Sequence, residues 1–204
     1  MAQVSGPADQ RQLTGVVRAA LKDAGLLGRE EQTMAVLTPV WLDSKNRAAS
    51  DTYREGGVME RWDPVQKPRE RFVIDRVGVK TRTLVLRDAA GQTHPLALRD
   101  IDKDWSLFRA GTIAVAEGER LRVLGQEGRG KDALKAGSTL TVQRVSDGEL
   151  RVCQAGGPDT AKPRRLAIGT SAFEAIKVAP AYVESLGASV SDQAVVYAAL
   201  KNLS

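Results

Sequence analysis

From Tyr53 to about Ile168, apolar and polar residues alternate with a period of two, and Gly, Pro and Asp break the pattern at short intervals. A period of two sends successive side chains to opposite faces of a strand, so this stretch favours sheet over helix. "GVMERW", "RFVIDRV", "TLVLRD" and "HPLAL" read as four short strands, and "RLRVLG", "STLTVQRV", "ELRVCQ" and "RRLAI" as four more. The two sets also match each other. "EGGVMERW" aligns with "EGERLRVL", and "RFVIDRVGVKTRTLVLRDAAG" with "TLTVQRVSDGELRVCQAGG". This is a weak tandem repeat over 53–98 and 115–168. Four or five short strands per unit suit a small barrel, because closing a sheet removes its exposed edges.

The flanks read differently. Leu13, Val16, Val17, Ala20, Leu21 and Ala24 recur at helical spacing with Gly25 as a C-cap, which predicts an amphipathic helix over about 10–24. "TMAVLTPVW" follows as an apolar strand, with Pro39 marking its end or an edge position. Asp43 or Ser44 can cap a short helix through "KNRAASDTY". After Ile168, "AYVES" reads as a strand, and "AVVYAAL" is compatible with either strand or helix. The expected fold class is therefore α/β flanks, 1–52 and 169–204, around an inserted β-rich region, 53–168.

Composition narrows the chemistry. A single cysteine, Cys153, excludes an internal disulfide and a multi-cysteine zinc site, and it sits in a predicted strand. The one histidine, His94, has no cluster of metal-ligating residues around it. No apolar run reaches the roughly 20 residues of a membrane span, and the first ten residues lack a signal-peptide pattern. These features predict a cytoplasmic chain with no membrane insertion. The net charge of +5 fits an anionic partner such as nucleic acid, and equally a solvated basic surface.

Two stretches approach cofactor motifs and fall short. "GQEGRGKD", Gly125–Asp132, nearly matches the phosphate-binding pattern G-x-x-x-x-G-K-[ST]. Asp132 stands where a hydroxyl should hold Mg²⁺, and only "ALKAG" precedes the next strand where a helix is needed. A basic hairpin loop is the better reading. Asp100, Asp102 and Asp104 alternate like the opening of a calcium loop, but Trp105 and Gly111 occupy the positions that require Gly and Glu. No cofactor or metal is expected, and no residue set supports hydrolysis or group transfer.

Basic residues cluster in three places. Arg61, Lys67, Arg69, Arg71 and Arg76 form one group, and Arg120, Arg122, Arg129, Lys131 and Lys135 a second. Lys162, Arg164 and Arg165 form the third. Such groups can track a phosphate backbone, with Trp62, Phe72, Trp105 or Phe108 available to stack on bases. The candidate nucleic-acid-binding residues are Arg61, Lys67, Arg69, Arg71, Arg129, Lys131, Lys162, Arg164 and Arg165.

Several segments, in order along the chain, carry a family likeness: "GVVRAALKDAGLLG", "MAVLTPVWLDSKNRAASDTYREGGVMERW", "ERFVIDRV", "LVLRDAAG", "DKDWSLFR", "EGERLRV" and "YVESLGASVSD". Together they resemble an internal segment of the F-type conjugative relaxase–helicases of the TraI type. The resemblance implies that 53–168 are accessory β subdomains inserted in a RecA-like lobe to which the flanks belong. It further implies a module without ATPase function that binds single-stranded DNA and carries a translocation signal. The type IV secretion coupling protein and the rest of the relaxase–helicase chain would be its other partners. It would act in the cytoplasm and could pass with the DNA into a recipient cell. Active modules of this kind carry a run of Tyr, Thr, His and Gln-Gly. Here Tyr182 keeps the Tyr and Ser185 replaces the Thr, while Gly187, Val190 and Ser191 replace the rest. Gly187 and Val190 offer no side-chain hydrogen bond, so ATP coupling through this segment is not expected. A strand over 181–185 followed by a loop through Ser191 is expected instead. Two other functions remain open: an ATPase using Gly130 and Lys131, and a spacer that binds nothing.

Overall fold

A computed structural model describes residues 7–62, 69–128, 133–154 and 163–182. Helix α1 spans Pro7–Asp23, with Pro7 placed where the first turn lacks a partner for its N–H anyway. It ends in a paired C-terminal turn. Gly25, at φ +70°, donates to the Lys22 carbonyl (2.9 Å), and Leu26 donates to that of Leu21 (2.9 Å). Strand β1 is Glu31–Val40. Helix α2, Ser44–Arg47, begins at Asp43, whose carboxylate accepts from the Lys45 and Asn46 amides at 2.8 Å.

Nine further strands follow: β2 Val58–Arg61, β3 Glu70–Gly78, β4 Thr83–Arg87, β5 Thr93–Ala97, β6 Trp105–Ala116, β7 Arg120–Val123, β8 Thr139–Ser146, β9 Glu149–Gln154 and β10 Arg164–Ala167. A short β11, Val178–Pro180, is the last strand among the described residues. All the strand pairs are antiparallel and make two sheets. The first has the order β1-β6-β2-β3-β4-β5 and the second β10-β9-β8-β7-β11.

Three expectations need correction. The sheets are open, so neither repeat unit is a closed barrel. The α/β lobe does not form in the described residues either, because β1 lies in register with β6 along its whole length, from Glu31 opposite Ala116 to Val40 opposite Leu107. The physical reason is β6, a twelve-residue strand the alternation did not announce. Its exposed centre, Arg109–Thr112, includes Gly111 and lacks a clean apolar face. Lastly, a strand lies at 178–180, and Ala181 and Tyr182, the first two residues of the strand expected over 181–185, form a turn. Residues 183–191 lie outside the described residues.

The β1–β6 ribbon joins the two halves. At one end its face presents Met34, Val36, Ile113 and Val115 to the core of the second sheet, with Leu121, Leu140, Leu150 and Val152. At the other end the same face presents Val40, Trp105 and Leu107 to the core of β2–β5, with Ile74, Leu84 and Leu86. The opposite face buries Ala35, Leu37 and Phe108 under Ala172, Phe173 and Ala175. This is why Met34–Leu37 are buried without alternation. The segment after β10 also covers the free edge of β1. Ala35 donates to the Gly169 carbonyl (2.8 Å) and Leu37 to that of Ile176 (2.8 Å). Among the described residues, no helix is long and apolar enough to cross a membrane.

Candidate nucleic-acid interface

At the open end of β2 and β3, Glu60 faces Arg71 across the ladder, and Arg61 faces Glu70 and Trp105. Alternation then divides these residues between the two faces of the sheet. On one face the Arg61 guanidinium lies 5.7 Å from the Trp105 ring centroid. Phe72 packs at 5.8 Å from Trp105 and meets His94 edge-on at 5.7 Å. His94 Nε2 lies 2.7 Å from Asp88 Oδ2. These side chains line a cleft of about 570 Å³. On the other face the Arg69 guanidinium lies 5.7 Å from the ring centroid of Trp62, a residue that is 43% exposed.

Below that second face lies a buried ion network. Lys177 Nζ is 2.9 Å from Glu60 Oε2, 3.4 Å from Glu127 Oε1, and 5.1 Å from the Phe108 ring centroid. Arg71 grips Glu60 Oε1 at 2.7 Å and donates through Nη1 to the carbonyls of Ala172, Phe173 and Ala175. Burial pushes the Glu60 carboxyl up, but the Lys177 and Arg71 charges outweigh it and hold Glu60 below the usual carboxylate range. Arg71 therefore ties the first sheet to the 172–175 segment, and that work commits its guanidinium internally. Phe108 and Trp105 are likewise core residues, at 5% and 8% exposure. Of the four candidate stacking aromatics, Trp62 is the exposed one; Trp41, between β1 and α2, is also open, at 84% exposure.

The structure thus gathers Arg61, Arg69 and Arg71 at one end of the first sheet. Arg164 and Arg165 lie on β10, an edge of the second sheet, where Arg164 donates to the Ala133 carbonyl (3.3 Å) and Arg165 lies 3.6 Å from Glu149. Lys67, Arg129, Lys131 and Lys162, with Ser185, Gly187, Val190 and Ser191, lie outside the described residues. The Gly125–Gly128 end of the near-phosphate loop leaves β7, and Glu127 then pairs with Leu134 before β8 begins. Lys177 donates its backbone N–H to Glu127 (2.8 Å). This is a hairpin connection, and its described part presents no helix N-terminus to a phosphate.

Helix α1 is fastened to the second sheet. Arg18 holds the fully buried Glu119 through Nε (3.1 Å) and Nη2 (2.9 Å), and its Nη2 also reaches Glu31 at 2.6 Å. Lys22 completes the group at 2.8 Å from Glu31. Tyr182 packs against Val17, Leu21 and Leu27, and its hydroxyl accepts from the Arg120 amide at 3.5 Å. Burial, reinforced by the Glu119 charge, pushes that hydroxyl's pKa up. Tyr182 is therefore a packing residue between α1 and the second sheet. The rest of its degenerate motif is not described.

Residues 1–30 match the family model of the single-stranded DNA binding TraI N-terminal subdomain. Residues 36–115, nearly all of the first sheet, match that of the DNA relaxase TraI 2B/2B-like domain. The chain is 42% identical over 203 residues to the multifunctional conjugation protein TraI of Escherichia coli, and equally to that of strain K12. Each alignment covers 100% of this chain and 11% of the relative, so the chain spans about a tenth of those proteins.

Proposed function

We propose that this chain, which corresponds along its length to one segment of a TraI conjugation protein, is a non-catalytic single-stranded-DNA-binding module of a conjugative relaxase. The observation that carries the reading is the placement of α1. The segment matching a single-stranded DNA binding subdomain is locked to the second sheet through Arg18 and Glu119. Its end therefore sits at a fixed position beside a basic sheet. At the open end of the first sheet, Arg61 on one face and Arg69 with the exposed Trp62 on the other supply cations and a ring, the elements that hold an unpaired strand. The hairpin at Gly125–Gly128 favours this reading over an ATPase. Recognition by a type IV secretion coupling protein, as a translocation signal, is the finer part of the proposal.

Two experiments test it. Affinity for a fluorescent oligothymidylate should fall linearly in log–log form with salt, because phosphate contacts release counterions. Absent or salt-independent binding removes the DNA reading. A reporter fused to the chain should be transferred to recipient cells in a coupling-protein-dependent manner, and no transfer removes the signal reading.

A further inference from the structure

The outer face of the second sheet carries a row of arginines that the fold itself does not require. Arg151 on β9 lies directly opposite Arg144 on β8 and directly opposite Arg165 on β10. All three are exposed. Among the described residues Arg144 and Arg151 have no ion pair, and Arg165 has only the loose contact to Glu149 at 3.6 Å. Like charges placed directly across a ladder destabilise a sheet, so a chain that keeps three in line needs another reason for them.

The matching meander of the first sheet supplies the control. Both meanders are bulged at corresponding places, between Ile74 and Arg76 and between Val142 and Arg144. The equivalent row there is Arg76, Val85 and Pro95. The same architecture thus stands with one arginine in the row, and the other two in the second meander are additions to it.

From this row we infer a phosphate-backbone track for single-stranded DNA, crossing β8, β9 and β10. Adjacent strands lie about 4.8 Å apart, so the row presents guanidinium groups at close, regular intervals to a flexible polyanion. Guanidinium is also the side chain best matched to phosphate. The occupant is argued from the neighbourhood. Leu26, Leu27 and Gly28, within the segment matching the single-stranded DNA binding subdomain, line a shallow cleft with Thr141 and Cys153. Those two residues form the next outward-facing pair along the ladder from Arg144 and Arg151. A strand held by that segment would pass onto the arginine row.

The inference rests on the proposed function, and one experiment separates the two. Oligothymidylate affinity is measured against salt for the wild-type chain, for Arg144→Gln/Arg151→Gln/Arg165→Gln, and for the same three changed to Lys. The Gln variant should lose about 2 from the log–log salt slope, at about 0.7 per phosphate contact with a single strand. The Lys variant should keep the slope, and neither should melt at a lower temperature than wild type. Wild-type binding with an unchanged slope in the Gln variant assigns the row to another polyanion, such as an acidic protein, and overturns the inference alone. A wild-type chain that does not bind overturns the proposed function and the inference with it.

Discussion

The two meanders of this chain have the same frame and opposite outfitting. In each, two buried aliphatics of a central strand anchor the core: Leu84 and Leu86 in the first, Leu150 and Val152 in the second. In each, the preceding strand is bulged opposite that stretch, between Ile74 and Arg76 in β3 and between Val142 and Arg144 in β8. Yet the first meander holds its charges close. Asp75 pairs with Arg87 at 3.4 Å and Glu60 with Arg71 at 2.7 Å, and Asp88 is hydrogen-bonded to His94. The second leaves Arg144 and Arg151 without an acid among the described residues. One copy offers a ring and a cleft, and the other a row of cations. A β-scaffold used twice can thus divide base contact from backbone contact, because only outward-facing residues need to change.

The largest effect should come from what joins the halves. Lys177→Ala leaves Glu60 buried beside a lost ammonium and should cost about 3–5 kcal/mol in urea unfolding. A much smaller loss would mean that the meanders are not held as one unit. The same network sets an acid limit. Glu60 has a folded pKa below its unfolded value of about 4.3, so its stabilisation is complete above the unfolded pKa and disappears as pH falls through the folded one. Unfolding midpoints should be level near neutrality and drop in the acid range, and Lys177→Ala should weaken that dependence.

Next come the equivalent core positions. Leu84→Ala and Leu150→Ala, both at sites with 0% exposure, should each cost about 2–5 kcal/mol. A single cooperative transition in both variants supports a shared ribbon core, whereas separate transitions would split the comparison. The smallest effects test the row itself. Arg151→Val should stabilise, and Val85→Arg, placed beside Arg76, should destabilise, each by about 0.2–1 kcal/mol in thermal melts. Equal signs for the two would show that the rows are not equivalent.

Much of the frame was legible from residues. The eight short strands, helix α1 and the Asp43 cap follow from alternation, helical spacing and capping chemistry. Strand β6 was not, because Gly111 and an exposed centre hide its pattern, and without β6 the ribbon that unites β1 with the rest cannot be seen. The arginine row was hidden for a different reason. In an unbulged pairing Arg144 would lie opposite Leu150 and point into the core. One extra residue after Val142 turns it outward, opposite Arg151. Nearness in sequence also misled: Arg71 belongs to a basic cluster by position, yet three carbonyls and Glu60 claim its guanidinium. Register decides such cases, and register is a tertiary fact.

The division of labour is tested most directly by the salt dependence of oligothymidylate binding in Trp62→Ala set beside Arg151→Gln. Stacking is worth about 1–3 kcal/mol per base and releases no counterions, so Trp62→Ala should lower affinity along a parallel line. Arg151→Gln should give a line shallower by about 0.7. Parallel lines for both variants, or a slope change in Trp62→Ala alone, would contradict the account.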